Sequence, residues 1–598
     1  TEGGRKAYCN GVRTAFTHLG GDTLINHWFL TEPIPTYLAS VAISDYEEIN
    51  STHSGMPVML MARAGDTTKL KNSFTNLTQT YDAYVSHFGP YMWQKMGYAL
   101  TTQGAMEHAT SIHYPRSLVN GPLAGEDIMA HELAHHWWGN LITCKTAEDM
   151  WINEGMAEFS SHLYEETIYD RERYLETVQD NAFNVLKTAH ISDDGFWALY
   201  GVDHDRTYGM HTYQKGAMVG HNLRGYLGDS LFFAGVTQLM NDHKYGNLDS
   251  YEIRDELQQI TGYNLSSFFA DWIFQPGFPQ FGIDSVSVIP SPIPEYTVEV
   301  GVSQRQRAAT HPYTNVPITL TYFGAGSHIT KAFSYTNSDT SYSTSIPFEP
   351  SFVVINFGSE ILTGTSSNQL KINSSGQYDM LRAMVKVNVS NVVDSAELRI
   401  EHHWAGPKGL NPMNFRLSSN HYWTVTGDFG GGLDFETHLN YSRFPNNGRL
   451  DEDLLSHSED SILLLYRLDA RSPWMHYPHY QKNVIINPNN GVGRMELSKV
   501  LKGEYVFANG APNIGIDENT QKVKFKVLPN PVDSALKVEL KRVKSNQVYR
   551  VYNSQGILLE QGMIEKGNKE FYIDVSQFRA GSYTLQIGNS TESFIVAH

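Results

Sequence analysis

The sequence predicts an α+β, multidomain protein, with a mostly helical segment followed by β-rich modules. Three observations point there. The chain has 598 residues, and single cores rarely exceed ~250–300 residues, so several domains are needed. Helical periodicity dominates residues 127–272. At "QPGFPQFG", residues 275–282, proline and glycine end it, and short alternating runs take over.

Each element follows in order. Residues 37–62 carry two strand-like runs, "YLASVAIS" and "MPVMLMARA". Leu70, Phe74, Leu77 and Tyr81, three or four apart, predict a helix over 67–88. "MGYALTTQGAMEH" reads as a strand ending in a loop. Asp249 and Glu252 fit a capping box that opens a later helix. Beyond residue 282, "TVEVGV", "PITLTYF" and "FVVINF" read as strands, and polar "TGTSSNQLKINSSG" at 363–376 as a junction. A second β-rich stretch, 377–510, holds "AELRIEHHW", "HYWTVTGDF" and the apolar "SILLLYRL", which suits a buried strand. A final module, 522–598, sets "ALKVEL", "QVYRVYN", "EFYIDV", "SYTLQIG" and "ESFIVAH" between turn residues, the rhythm of a small β-sandwich.

Composition removes some functions. Hydrophobic residues make up 41% and aromatic residues 12%, enough for several cores. The formal net charge is −18, which argues against nucleic acid as a partner, because a phosphate backbone needs a basic face. Cys9 and Cys144 make no disulfide framework; one bridge and two free thiols both stay open. No run of ~18 apolar residues predicts a membrane span. The opening "TEGGRKAYCN" has neither initiator Met nor apolar signal core, and reads as a mature product or trimmed fragment.

The stretch that carries chemistry is "HELAHHWWGN", residues 131–140, followed by "WINEGMAEF", residues 151–159. Positions i and i+4 share a helix face, so His131 and His135 can point at one ion. Glu132, beside the first histidine, can reach a metal-bound water instead of the metal. Catalytic zinc usually takes three protein ligands and leaves a fourth position for water. Residues 147–166 read as a second helix with Met156, Phe159 and Leu163 buried, and Glu154 on it could complete a His₂Glu site. Otherwise Glu154 is a solvated helix carboxylate, a costly arrangement beside apolar Trp151 and Ile152. Such a centre is expected to hydrolyse a carbonyl-derived bond such as a peptide.

These residues resemble the zinc aminopeptidases of the aminopeptidase N family, gluzincins with His-Glu-x-x-His, eighteen residues, then Glu. "QGAMEH" at 103–108 resembles that family's Gly-x-Met-Glu-Asn motif, "TYQKGAMV" at 212–219 its Tyr-x-Lys-Gly stretch, and "FFADWIFQPGFP" at 268–279 the end of its catalytic domain. The resemblance covers roughly residues 25–362 and implies one Zn²⁺ per chain on His131, His135 and Glu154, with Glu132 as general base. It implies that Glu107 holds the free α-amino group of a peptide substrate and that Tyr213 donates to the oxyanion. Gly104, Ala105, Met106 and His108 would complete the substrate contacts. Plainer readings stand beside these: Glu107 as a loop carboxylate, Tyr213 as a core tyrosine with Tyr208 its rival, and His136, Trp137, Trp138 and Cys144 as packing. His108 stands where the family has Asn, and it titrates near neutrality.

The resemblance also implies a thermolysin-like catalytic domain at 46–277. Before it, residues 1–45 match only the last stretch of the family's N-terminal β-domain. After it come a β-sandwich at 278–375, a β-rich accessory domain at 376–520 and a C-terminal sandwich at 521–598. The family's helical C-terminal domain has no counterpart, and a more open cleft for longer peptides is expected. The last module, with "LPNPVDSALKVEL", "YRVYNSQGILL" and "FYIDVSQFRAGSYTLQIG", resembles the type IX secretion sorting domain, which implies contact with secretion machinery and an extracellular or cell-surface location. The sequence therefore predicts a secreted zinc aminopeptidase. A zinc endopeptidase with an open cleft and a non-catalytic adhesion protein on a peptidase fold are the alternatives.

Overall fold

The computed structural model describes residues 1–598 except 2–4, 291–294, 337–338, 410–414, 456–458, 486–489, 511–523, 542, 544–546, 554–557, 588–589 and 598. The chain divides into two compact units, Thr1–Gly510 and Ala511–His598. The architecture is α+β with many separate sheets.

The first unit opens with two antiparallel pairs, Lys6–Cys9 with Val41–Ser44 and Val12–Gly20 with Thr23–Phe29. "YLASVAIS" is thus only partly strand: Thr36–Leu38 is a 3₁₀ turn. A four-stranded sheet follows, ordered Tyr46–His53, Met56–Arg63, Met96–Thr101, Ile112–Pro115. Its last three strands run parallel, and Met96–Thr101 is nearly all buried, as a parallel strand covered on both faces should be.

The helices pack on this sheet. The predicted helix at 67–88 is two, α1 (Thr67–Ser73) and α2 (Leu77–Phe88), with a break at Phe74 whose ring meets Tyr98 and Tyr114 edge-on. Next come α3 (Glu126–Ala134), α4 (Glu154–Ile168) and α5 (Arg171–Asn184). The second predicted helix begins late: Ala147–Ile152 is 3₁₀, and α4 proper starts at Glu154, with Met156, Phe159 and Leu163 buried as expected. A single turn, α6 (His190–Ser192), precedes the π-helical turn His211–Lys215, which runs straight into α7 (Gly216–Leu227). After α8 (Asp229–Asp242), α9 (Ser250–Thr261) starts on the expected capping box, with Asp249 and Glu252 each accepting the other's backbone N–H.

Two β-layered regions complete the unit. In one, the three-stranded sheet of Phe278–Pro290, Tyr296–Arg307 and Thr340–Ile346 accompanies that of Ser327–Tyr335, Val316–Gly324 and Phe352–Ile355. In the other, a seven-stranded and a five-stranded sheet enclose a core that includes Leu398, Trp423, Tyr441, Leu464 and Phe507. The expected junction at 363–376 contains a strand, Thr365–Ile372, paired along its whole length with Ala396–His403. "SILLLYRL" supplies the buried strand Ile462–Arg467.

The second unit has its own core, with Leu536, Val538, Val551, Leu585 and Phe594. It pairs a three-stranded sheet with a four-stranded one. The strands Phe525–Leu528 and Leu558–Ile564 add to the five expected from the sequence. Among the described residues no helix is long and apolar enough to cross a membrane. Cys9 and Cys144 are both free thiols.

Candidate active site

The geometry begins with where α3 stops. The helix gives out at Ala134, and His135 takes the C-cap position with helical backbone angles. Gly139, at φ +111°, then turns the chain back. A Cβ there would lie 3.1 Å from His135 Nδ1, so glycine lets the chain fold beneath the imidazole. The turn brings the Trp138 carbonyl to His135 Nδ1, which donates to it at 2.9 Å.

Helix α4 supplies the other side. Its N-cap, Asn153, accepts the Cys144 N–H (2.9 Å) and donates to Thr143 Oγ1 (3.2 Å), which ties the helix start to the strand Ile142–Cys144. Glu154 and Glu158 are one turn apart and share a face. They bracket His131: Glu158 Oε2 accepts from Nδ1 at 3.0 Å, and Glu154 Oε2 lies 3.6 Å from Nε2. Glu154 Oε2 is also 3.2 Å from His135 Nε2, and the two Nε2 atoms are 3.1 Å apart.

These three atoms fit a metal ion. Tetrahedral zinc with bonds of about 2.0–2.2 Å separates its ligand atoms by about 3.4 Å. Each imidazole commits Nδ1 to an oxygen acceptor, which fixes Nε2 as the free donor atom. All three residues are buried, and they form the metal-type cluster found among the described residues.

Charge points the same way. Glu107, Glu132, Glu154 and Glu158 line one cavity of about 630 Å³. Lys145, also on its wall, gives its ammonium to Asp249 and Glu252. Burial works to lower the pKa of His135, but Glu107 and Glu154 outweigh it and lift the group to about 9. Burial raises Glu132 to about 7. Its Oε2 is buried without a hydrogen-bond partner. So negative a pocket calls for cations.

The remaining expected residues divide. Ala105, Met106, Glu107 and Tyr213 line the cavity. Gly104 is exposed outside that wall, and His108 sits behind it, its ring 4.3 Å from that of His113. Met106 and His113 exchange both backbone hydrogen bonds at 3.0 Å, which extends the sheet edge toward the cavity. The Tyr213 ring lies nearly parallel to His131, 12° between planes and 6.0 Å between centroids. Burial, then Glu154, raises its pKa. Tyr208 is 69% exposed at the cavity rim. His136 faces away: its Nε2 accepts the Thr110 N–H and its Nδ1 meets the Tyr91 hydroxyl. Trp137 and Trp138 are core.

Close backbone contact sets α4 against α7. A Cβ on Gly155 would fall 2.8 Å from both Gly216 Cα and the Thr212 carbonyl oxygen. The glycine pair lets Glu154 and Tyr213 reach one cavity. Sequence reasoning missed Glu158 and Asn153. The first carried a signal, four residues after Glu154; the second only its place as a helix cap.

Two imidazoles and a carboxylate from consecutive helices, with a spare buried carboxylate beside them, make a site of the metallopeptidase type. Residues 69–272 match the peptidase family M1 domain. Residues 526–597 match a secretion system C-terminal sorting domain. The chain is 27% identical over 270 residues to the "Probable aminopeptidase 1" of Saccharolobus solfataricus, covering 42% of this chain and 34% of that protein. It is 26% identical over 265 residues to the "Leucyl aminopeptidase" of the same organism, covering 42% and 34%. Against the "Aminopeptidase N" of Lactococcus lactis subsp. lactis it is 30% identical over 165 residues, covering 25% and 19%. The matches span about a third or less of these relatives.

Proposed function

We propose that the protein is a secreted zinc aminopeptidase that cleaves the first peptide bond of peptide substrates, with a thermolysin-like catalytic domain at 46–277. The observation that carries this reading is the meeting of the buried side chains of Glu107, Glu132, Glu154, His131 and His135 on the wall of one cavity.

His131, His135 and Glu154 would hold zinc, which when bound would supply Lewis acidity toward a carbonyl and an acidified water. Glu132 takes a proton from the attacking water and delivers one to the leaving amine. Its place beside His131 on α3 and its uncommitted Oε2 suit that shuttle. Glu107 pairs with the substrate α-ammonium, which an internal peptide bond does not offer. Tyr213 donates its hydroxyl hydrogen to the oxyanion that develops on the carbonyl. Gly104 and Ala105 let substrate backbone pass close to the sheet edge that Met106 extends. The sorting domain supports export to the cell surface or beyond.

A panel of aminoacyl-arylamides, run with and without chelator, tests the reading alongside peptides with acetylated N-termini. Chelator-sensitive release from free N-termini and none from blocked ones is expected. Equal cleavage of blocked peptides would mean an endopeptidase.

A further inference from the structure

We propose that Asp193 is a positioning residue for Tyr213, acting through the π-helical turn His211–Lys215. The proposal rests on the role given to Tyr213 above.

Asp193 lies outside the cavity wall, yet its carboxylate is spent on the turn that carries Tyr213. Oδ1 accepts the Met210 N–H at 3.1 Å. Oδ2 accepts the His211 N–H at 2.8 Å and His211 Nδ1 at 2.6 Å. These are the donors a helix start leaves unmatched. His211 Nε2 accepts the Trp197 N–H at 3.2 Å, so the ring is neutral with its hydrogen on Nδ1. The Asp193 carbonyl in turn accepts Trp197 Nε1 and Arg206 Nε. At the far end of the turn, Lys215 Nζ donates to the Trp197 carbonyl at 2.9 Å. Residues 193–197 therefore grip both ends of the turn, with Tyr213 between.

The fit is close. A Cβ on Gly209 would lie 2.7 Å from the Asp193 carboxyl carbon, so the backbone must close directly on the carboxylate. Asp193 and His211 are 5% and 1% exposed at their side chains. A π-helical turn is a wider, less favourable coil and needs outside support. The Asp193 clamp provides that support and sets where the Tyr213 ring stands beside His131. An oxyanion donor works only within a few tenths of an ångström of its place, so loosening the clamp weakens transition-state binding more than substrate binding.

The test is a double-mutant cycle between Asp193→Asn and Tyr213→Phe on an aminoacyl-arylamide, with kcat and KM separated. Tyr213→Phe is expected to lower kcat by about 10²–10³-fold. Asp193→Asn should lower kcat by roughly tenfold or more with KM little changed, and add almost nothing in the Tyr213→Phe background. Full additivity, or an effect on KM alone, overturns the proposal and leaves the Tyr213 role standing. No effect of Tyr213→Phe overturns both. If Asp193→Asn melts early, His211→Asn, which keeps a donor near Nδ1, is compared with His211→Phe, which removes it. Activity preserved in the first and lost in the second supports the clamp, and equal loss overturns it.

Discussion

His131 is held from both of its nitrogens by one helix. Glu158 takes the Nδ1 hydrogen while Glu154 stands by Nε2, so the imidazole has one orientation and one tautomer. Removing that support loosens the ligand without deleting it. Glu158→Gln should weaken metal binding by about 10–100-fold, read by competition with a chelator; unchanged affinity would show that the contact is idle. Glu132→Gln separates chemistry from binding: kcat should fall by about 10²–10⁴-fold with metal content by elemental analysis unchanged. The histidine pair was legible in the sequence because an i, i+4 spacing on a helix becomes proximity, and Glu154 through its place on a second helix and the resemblance that pairs the two segments. Asp193 was not, since its partners lie seventeen and eighteen residues away across a loop whose path no periodicity encodes.

At the level of elements, the decisive contact is between α4 and α7. Gly155 and Gly216 meet backbone to backbone, and no side chain intervenes. Gly155→Ala should cost about 1–3 kcal/mol in denaturant unfolding and lower kcat, because the helices bearing Glu154 and Tyr213 are pushed apart. Gly65→Ala, where a Cβ meets nothing within 4 Å, is the neutral control. Strong periodicity or burial made most elements readable, such as α2 and the strand Ile462–Arg467. The failures share a cause. Thr365–Ile372 and Tyr46–His53 are rich in polar side chains, and only their neighbours make them strands. The break between α1 and α2 comes from Phe74 turning into the sheet, which its sequence spacing does not show.

Across the whole molecule, buried histidines tie distant parts together in their neutral form. His221 on α7 donates to the Ser359 carbonyl and accepts from Tyr174, and His190 donates to the Gly448 carbonyl. Burial lowers His221 to about 3 and His190 to about 4. His136 and His403 are lowered by burial to about 3 and about 4. All four values lie below the ordinary 6.5, so the unfolded chain binds more protons in acid. Their contribution to stability is complete above 6.5 and is withdrawn as pH falls toward the folded values. The melting temperature should begin to drop below pH about 6.5, before most carboxylates titrate; a flat profile down to pH 5 would contradict this. The two units carry separate cores. Ending the chain at Gly510 should therefore keep kcat/KM within about twofold while abolishing export, measured in cell and culture fractions.

The glycine seam also limits how this enzyme can diversify. No residue is smaller than the glycines at that joint, and any larger one forces the Glu154 carboxylate and the Tyr213 phenol apart, so their spacing admits no fine adjustment there. New preferences in the proposed aminopeptidase would have to arise at the rim, around Tyr37, Met150 and Tyr208. A library aimed at altered selectivity should randomise those positions and leave the seam untouched.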